Sequence, residues 1–282
     1  MHFNLLLTPI WLFGLVVGAE AVGVTNPLLQ TNTWLAWASL HLFLYGGTTA
    51  FNSYYDRDEG PVGGMLTPPP VDPGLLPFSL AIQAIGLALA IPVGVSFTLA
   101  WLALFAVFTA YSHPSVRLKA RPSTQLLAIG LGQGALGWAL GWLVFAPASG
   151  LLSPEAVLRM GVTALIVLGL YIVTQSYQVV EDGARGDRTL PVLLGPARAL
   201  RLAVVMLAPG GMMLVLDIAR LADIRTAVFS LVVFSGLAVW MLRFAAGFDP
   251  HATERNYRVA MQIATASAVL LGGMLVWLLF VV

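Results

Sequence analysis

The sequence predicts an all-α membrane protein in which nine transmembrane helices surround a central cavity open to the cytoplasmic side. Hydrophobic residues make up 59% of the chain and charged residues only 10%, whereas about a quarter of the residues in soluble domains are charged. Apolar runs close to the roughly 20 residues that span a bilayer recur from end to end. Polar residues inside some of these runs follow a helical period, which favours a lined cavity over a face in lipid.

The nine predicted spans follow one another with short connections. They are 5–24, 34–56, 76–95, 97–113, 124–146, 156–180, 199–219, 226–247 and 257–282. The first run is too long and too weakly basic for a signal peptide, so we expect it to remain as a span. A tight turn at 92–94 separates the third span from the fourth. No long linker or low-complexity segment divides the chain, which predicts a single transmembrane domain over residues 1–282.

The distribution of positive charge predicts how the chain is oriented. With nine spans, eleven of the fourteen Lys and Arg residues fall on one side, while Arg159, Arg220 and Arg225 fall on the other. Cytoplasmic loops carry the excess of Lys and Arg, so the eleven-residue side is predicted to be cytoplasmic. The expected location is the plasma or inner cell membrane, with the N-terminus cytoplasmic and the C-terminus outside. The absence of cysteine excludes disulfides, thiolate metal sites and a cysteine nucleophile.

Two acidic clusters lie at the cytoplasmic ends of the second and sixth spans. They hold six of the thirteen acidic residues, which are Asp56, Asp58, Glu59, Glu181, Asp182 and Asp187. Carboxylates beside a bilayer are costly, so their presence indicates a function. Converging carboxylates bind a hard divalent cation and, through it, a phosphate. Together with Asn52, one helical turn before Asp56, these six residues are the predicted ligands of Mg²⁺.

Two polar stripes lead along the helices to these clusters. The second span carries His41, Tyr45, Thr48, Asn52 and Asp56, and the sixth carries Tyr171, Thr174, Gln175, Gln178 and then Glu181 or Asp182. Steps of three and four residues place each set on one side of a helix. A polar stripe is costly against lipid, so both stripes are expected to surround one pocket. For any single residue, hydrogen bonding between packed helices stays the alternative.

Positive side chains near the acids are expected to bind the phosphate oxygens that a metal ion does not bind. These residues are Arg57, Arg117, Lys119 and Arg188, and Lys119 is the only lysine in the chain. Mg²⁺ prefers a few carboxylates combined with phosphate oxygens and water, so the pattern favours a Mg²⁺-diphosphate over bare Ca²⁺. For Arg117 and Lys119 the alternative is a role in topology alone, without a ligand.

Two glycine-containing segments have simpler interpretations. The loop with Gly63 and Gly64 and the prolines at 68–70 is either a lid over the site or a plain connection. The glycines of the fifth span, from Gly130 to Gly141, are spaced for close packing between helices, with Gln133 as a lining residue of the cavity.

Three motifs stand in order after the second, fourth and sixth spans. They are Asn52-x-x-x-Asp56 with Asp58 and Glu59, then Tyr111 with Arg117-x-Lys119, then Glu181-Asp182 with Gly186-Asp187-Arg188-Thr-Leu-Pro-Val-Leu-Leu-Gly195. In order, spacing and placement they resemble the UbiA superfamily of intramembrane prenyltransferases, over essentially the whole chain. The resemblance implies nine helices around a central cavity. It also implies two aspartate-rich motifs that hold Mg²⁺ and a prenyl diphosphate, and transfer of the prenyl group to an acceptor.

The resemblance assigns roles to the residues already singled out. It implies that Mg²⁺ and the diphosphate bind at Asn52, Asp56, Asp182 and Asp187. The residues expected to bind the substrate are Arg57, Tyr111, Arg117, Lys119, Gln178 and Arg188. The tyrosines whose ring faces are candidates to stabilise an allyl cation are Tyr45, Tyr54, Tyr111 and Tyr171. For each of them, packing or anchoring at the membrane interface stays the alternative.

The chain departs from the family pattern at two positions. The first motif of the family usually reads Asn-x-x-x-Asp-x-x-x-Asp, but here its last position is Gly60, so Asp58 or Glu59 would have to substitute. The second motif is usually Asp-x-x-x-Asp, whereas Asp182 and Asp187 are five residues apart. A helix break at Gly183 or Gly186 is expected to bring the two carboxylates back together.

The predicted function is Mg²⁺-dependent transfer of a prenyl group from an allylic polyprenyl diphosphate to a lipophilic aromatic or quinone-precursor acceptor, with release of pyrophosphate. Members of the family that prenylate a benzoate typically carry an arginine on the first helix, so its absence here disfavours a benzoate acceptor. A quinone precursor, a tetrapyrrole alcohol ester and a lipid headgroup stay open. A terpene cyclase on the same scaffold would share the ionisation step and stays open. A cation-coupled secondary transporter is a third possibility, although such proteins tend to place their charges at the midplane on broken helices.

Overall fold

The computed structural model describes residues 2–57, 59–62 and 64–281, with side chains from Leu5 to Phe280 inside these ranges. This part of the chain is helical and contains no strand, and a lone β-bridge joins Val62 to Met65. The α-helices are α1 (Thr8–Val22), α2 (Thr31–Trp37), α3 (Tyr45–Asp56), α4 (Leu75–Ala90), α5 (Val95–Ser112), α6 (Pro122–Ile129), α7 (Gly137–Trp142), α8 (Pro154–Gln175), α9 (Val179–Arg185), α10 (Leu190–Leu194), α11 (Pro196–Leu221), α12 (Ile224–Ala246) and α13 (Thr253–Val281).

Seven helices within the described ranges are long and apolar enough to cross a membrane. They are Leu5–Val22, Leu75–Val93, Val95–Ser112, Pro154–Arg185, Pro196–Leu221, Ile224–Ala246 and Thr253–Phe280. The helical stretches at 31–56 and 122–142, which match the predicted second and fifth spans, are not among them. Each contains a π-helical segment, Ala38–Leu44 or Gly130–Leu136. The all-helical, multi-pass membrane class is therefore confirmed, and the count of nine spans stays a prediction.

Glycines of the predicted fifth span pack directly against the backbone of neighbouring helices. A Cβ atom on Gly134 would lie 2.4 Å from the Cα of Ala164 in α8, and one on Gly141 would lie 2.0 Å from the carbonyl oxygen of Trp11 in α1. No larger side chain fits at such distances without moving a helix. The packing role predicted for these two glycines is confirmed.

The helical segment that carries the second polar stripe extends beyond residue 180, the predicted end of the sixth span. The first turn of α8 is capped by Ser153, whose Oγ accepts a hydrogen bond from the backbone at 3.2 Å. α9 continues to Arg185, so Glu181 and Asp182 lie inside a helix that the sequence had ended at residue 180. Gly186 ends α9 with a φ of 78°, a left-handed conformation that glycine adopts without strain. The predicted helix break at Gly186 is confirmed.

The first polar stripe divides between the core and the cavity. The ring centroids of His41 and Tyr45 are 5.3 Å apart, and Trp11 lies 5.9 Å from His41, so these side chains form a buried aromatic cluster. The prediction that the whole stripe faces a cavity is wrong for His41 and Tyr45. His41 lies in the π-helical segment, whose wider turns rotate it away from the face that carries Asn52.

Candidate active site

One cavity of about 240 Å³ receives polar side chains from both stripes. Its charged and amide-bearing part is lined by Asn52, Asp56, Lys119, Gln178, Asp182, Arg185 and Asp187. Its apolar lining includes Leu6, Leu7, Phe108, Ile129, Val167 and Leu170. Along α5 and α8 the apolar lining residues precede the polar ones, so the apolar part lies deeper in the bundle. Both stripes therefore contribute to one pocket, the first from Thr48 onward and the second from Tyr171 to Asp182.

The first acidic cluster is organised around Asn52. Its Oδ1 accepts hydrogen bonds from Ser112 Oγ at 2.7 Å and from Lys119 Nζ at 2.9 Å. Lys119 also donates to Asp56 and forms an ion pair with it, and both side chains are mostly buried. The negative charge at the end of α3 is therefore matched by an ammonium from the segment between α5 and α6.

The second acidic cluster lies at the end of α9 and in the turn after it. Asp182 Oδ2 accepts a hydrogen bond from Thr189 Oγ1 at 3.1 Å, which fixes the orientation of this carboxylate. Asp187 forms an ion pair with Arg117 at 3.6 Å, with Arg117 itself largely exposed. Because Arg117 and Lys119 contact different clusters, the 113–121 segment links the ends of α3 and α9.

The segment after α3 closes against α9 near the rim of the cavity. Gln178 Nε2 donates to the carbonyl oxygen of Pro61 at 3.3 Å. A Cβ atom on Gly60 would lie 2.5 Å from Glu181 Oε2, and Glu181 also forms an ion pair with Arg185. These contacts favour the lid over the plain connection for residues 60–62, whereas Gly63 lies outside the described residues.

Two tyrosines meet between α5 and α8 beneath the charged groups. The hydroxyl oxygens of Tyr111 and Tyr171 are 2.6 Å apart, and Gln175 Nε2 donates to the Tyr171 hydroxyl at 2.7 Å. The Lys119 Nζ atom lies 5.9 Å from the centroid of the Tyr111 ring. Of the four tyrosines predicted to face an allyl cation, these two line the cavity; Tyr45 is in the aromatic cluster, and Tyr54 is not a lining residue.

Several predicted site residues are not lining residues of the cavity. They are Arg57, Glu59, Arg117, Glu181 and Arg188. Arg57 is exposed and ends α3 with a φ of 51°, which directs the chain away from the helix axis. Asp58, the other predicted substitute for the acid missing at Gly60, lies outside the described residues. For all six residues, the roles in binding metal or substrate stay predictions.

Seven polar lining residues were absent from the predicted site. They are Thr49, Ser53, Ser112, Gln125, Tyr177, Arg185 and Thr189. Arg185 follows Gln178 and Asp182 at steps of four and three, so extending the helical period by one turn would have found it. Ser112, Gln125 and Thr189 carry no comparable signal, because a single polar residue at the end of an apolar run is common.

The oxygen donors suit a magnesium ion that is bound together with a diphosphate. Among the described residues no group of three or more His, Asp or Glu side chains is placed to hold a metal ion. Mg²⁺ does not require such a cage, since it is usually bound by one or two carboxylates plus phosphate oxygens and water. Asp56 and Asp182 supply carboxylates from two helices to one cavity, and Asn52 adds an amide oxygen.

Comparisons with known proteins agree with this geometry. The chain matches the sequence model of the UbiA prenyltransferase family over residues 6–267. A UbiA homolog from Archaeoglobus fulgidus bound to DMAPP and Mg²⁺ has a similar structure, with a TM-score of 0.62 and 21% identity over 96% of this chain and 99% of that chain. For a UbiA homolog from Archaeoglobus fulgidus bound to GPP and Mg²⁺ the TM-score is 0.60 and the identity 20%, over 96% of this chain and 100% of that chain. A structure described as digeranylgeranylglyceryl phosphate synthase has a TM-score of 0.57 and 13% identity, over 99% of this chain and 96% of that chain. The comparison with curated proteins found no significant match.

Proposed function

This chain belongs to the UbiA prenyltransferase family and is an intramembrane prenyltransferase, and on this premise we propose that its cavity transfers a prenyl group from an allylic diphosphate to a lipophilic acceptor. The observation that carries the proposal is the union of two acidic clusters, a lysine and an apolar recess in one cavity. A prenyl diphosphate has the same division between a highly charged head and an apolar tail.

The proposed binding mode follows that division. The diphosphate head lies between the ends of α3 and α9, and the tail lies along Phe108, Ile129 and Leu170. Asn52, Asp56, Asp182 and Asp187 would hold Mg²⁺, which supplies Lewis-acid neutralisation of the leaving group when it is bound. Lys119 and Arg185 add positive charge from the cavity wall.

The proposed reaction begins with loss of the leaving group. The bond between C1 of the prenyl chain and the diphosphate oxygen breaks, and its electron pair leaves with pyrophosphate. Lys119, which is mostly buried, stabilises the charge that develops on the departing oxygens in a site of low dielectric, and Arg185 adds positive charge from a more exposed position. The rings of Tyr111 and Tyr171 stabilise the allyl cation through their electron-rich faces.

The proposed second step joins the acceptor to the prenyl chain. A nucleophilic carbon or oxygen of the acceptor forms a bond with C1, and the proton that it gives up leaves with pyrophosphate. Water would compete for the same cation, so the cavity has to stay dry. The apolar side chains below the charged groups provide this exclusion.

The test combines a binding readout with a product readout. The purified protein is mixed with geranyl thiodiphosphate, an unreactive analogue, and its thermal unfolding is followed with and without Mg²⁺. We expect a rise in unfolding temperature only when analogue and Mg²⁺ are both present. Absence of Mg²⁺-dependent stabilisation would contradict the proposal. If labelled geranyl diphosphate gives a cyclic hydrocarbon without an acceptor, the protein is a terpene cyclase and the proposed transfer is wrong.

We also propose that the site opens to the cytoplasm from a plasma or inner cell membrane. The loops that carry most of the Arg and Lys residues are the ones that meet at the acidic clusters, through Lys119 with Asp56 and Arg117 with Asp187. The positive-inside rule assigns that side to the cytoplasm. Water-soluble pyrophosphate would then be released into the cytoplasm.

A further inference from the structure

A second cavity lies against another side of α3. It has a volume of about 580 Å³ and is lined by α3 and the π-helical segment before it, by residues 62 and 65–74, and by the first half of α4. Its lining is predominantly apolar and includes Leu42, Ala50, Pro69, Phe78 and Ile82. We call this cavity the α3–α4 groove. Nothing in the proposed binding of the diphosphate or its tail uses this space.

The α3–α4 groove shares a wall with the charged cavity. Thr49, Ser53 and Val62 line both spaces. Thr49 and Ser53 are one turn apart on α3 and have small side chains, so the partition between the cavities is thin. Thr49, Ser53 and Val62 therefore form part of the boundary between a molecule in the groove and the charged cavity.

The shared wall lies at the depth where the reacting carbon is expected. Thr49 and Ser53 each precede a residue of the first motif, Asn52 or Asp56, by three positions. Three residues of α-helix correspond to a displacement of about 4.5 Å along the axis. With the diphosphate at Asn52 and Asp56, C1 lies next to the leaving oxygen on the inner side of the head, and so faces this part of the wall.

The charge of the groove indicates which kind of molecule it can hold. Among the described residues that line it there is no Lys, Arg or His, and the one ionisable side chain is Asp72. Asp72 is exposed, and its Oδ1 accepts a hydrogen bond from the backbone N–H of Gly74 at 2.7 Å. A ligand carboxylate buried here would lose its hydration without gaining a positive partner. The groove therefore suits an uncharged apolar molecule.

We propose that the α3–α4 groove binds the acceptor, and that the acceptor is an uncharged lipophilic phenol or alcohol. This inference rests on the proposed function, since it assigns the second substrate of that reaction. The prenyl tail and the acceptor then occupy separate apolar spaces that meet at Thr49, Ser53 and Val62. The nucleophile reaches C1 past the small side chains of α3 while the tail remains in the recess of the first cavity.

A single cysteine can report on occupancy, because the natural chain contains none. Ala50→Cys places a thiol in the groove without altering a lining residue of the charged cavity, and Ala84→Cys on α4 is an exposed control outside the groove. Labelling by N-ethylmaleimide is timed in the presence of para-nonylphenol, para-nonylbenzoate, or geranyl or farnesyl thiodiphosphate with Mg²⁺. At a concentration about ten times its Kd, para-nonylphenol should slow labelling of Ala50→Cys about tenfold and leave Ala84→Cys unchanged.

The probes separate the alternatives. Equal protection by para-nonylbenzoate would overturn the requirement for a neutral acceptor. Protection that grows from geranyl to farnesyl thiodiphosphate would assign the groove to the prenyl tail and overturn the proposal, as would no protection by the phenol. Mg²⁺-dependent stabilisation by geranyl thiodiphosphate is measured on the same Ala50→Cys protein. If that stabilisation is present, a negative phenol result overturns the acceptor groove alone; if it is absent, the proposed function itself fails.

A substitution that fills the groove gives an independent check. Ala50→Leu should abolish the shift in unfolding temperature caused by para-nonylphenol, while the shift caused by geranyl thiodiphosphate with Mg²⁺ is kept. Ala84→Leu adds the same side chain outside the groove and should keep both shifts. A phenol-induced shift that survives in Ala50→Leu would overturn the proposal.

Discussion

The Nζ atom of Lys119 lies 2.9 Å from Oδ1 of Asn52 and also forms the ion pair with Asp56. One ammonium group thus engages two oxygen donors that the proposed function assigns to a metal ion. A divalent cation bound as proposed would therefore compete with Lys119 for the same oxygens until a diphosphate supplied new partners for both.

Replacing Lys119 by Met should separate metal binding from catalysis. Removal of the ammonium frees Asp56, so the affinity for Mn²⁺ alone, measured by electron paramagnetic resonance, should rise about tenfold, or ~1.4 kcal/mol. Turnover of the prenyl diphosphate should fall by about 10²–10³-fold, because a stabiliser of the leaving group is lost. Arg121→Met, in the same segment, is the control. Unchanged Mn²⁺ affinity and unchanged turnover would contradict the competition.

Neutralising either lining aspartate should impair the reaction and spare the fold. Asp56→Asn and Asp182→Asn each remove one carboxylate from the cavity, and the expected loss in kcat/KM is about 10²-fold or more. Neither side chain belongs to the apolar core, so both variants should still fold, and the unfolding temperature of Asp182→Asn without ligand should stay close to that of the natural protein. Asp56→Asn should lower it, because the mostly buried Lys119 loses its charged partner. Glu254→Gln, which removes an exposed partner of Arg258, is the matched control. Full activity in Asp182→Asn would contradict a role of the second acidic cluster in the reaction.

The ring of Tyr111 and its hydroxyl should contribute differently. Tyr111→Phe keeps the ring face and removes the hydrogen bond to Tyr171, whereas Tyr111→Leu removes both. If the ring stabilises the cation, Tyr111→Leu should lower kcat about tenfold more than Tyr111→Phe, in the range expected of a cation–π contact. Single-turnover rates with saturating diphosphate make the comparison. Equal losses in the two variants would assign the effect to the hydroxyl.

A buried ion pair far from the cavity should matter for stability alone. Arg159 on α8 donates to Asp217 on α11 through Nε at 2.9 Å and through Nη2 at 2.5 Å, and both residues are buried. Asp217→Asn leaves the guanidinium without its charged partner and should cost about 3–5 kcal/mol of unfolding free energy. Denaturant titration in detergent measures this loss.

The double variant Arg159→Met with Asp217→Leu provides the control for this pair. It leaves no unpaired charge and should regain most of the lost stability. Turnover per folded molecule should be unchanged in every variant, because about 35 Å of helix separates Arg159 from Asp182. A loss of turnover at full folding would contradict the separation of the two regions.

The topology prediction can be tested with single cysteines in two loops. Ser115 lies in the predicted cytoplasmic segment between α5 and α6, and Leu152 lies in the predicted outer segment before α8; both residues are exposed. A membrane-impermeant maleimide added to intact cells should label Leu152→Cys and leave Ser115→Cys unlabelled until the cells are opened. The reverse pattern would invert the orientation and place the charged cavity outside.

Much of the site could be predicted from sequence because its signals are local. Asn52, Asp56, Gln178 and Asp182 recur at steps of three and four within apolar helices, and that period determines which side of a helix they share. The π-helical segment before α3 breaks this period without a recognisable signature in the sequence. That break accounts for the failure at His41. Tyr45 lies inside α3 and keeps the period, but its ring is buried against His41 and Phe108.

The membrane class, the helices and the two acidic clusters follow from the sequence by itself, because hydropathy and helical periodicity depend on residues close together in the chain. Only the tertiary structure decided that Lys119 pairs with Asn52 and Asp56, that Glu181 turns towards Gly60, and that a groove adjoins the cavity along Thr49 and Ser53. These features depend on how helices distant in the chain are placed against one another. That placement is set by close packing and by interactions of charge across the bundle, and neither leaves a periodic trace in any one segment.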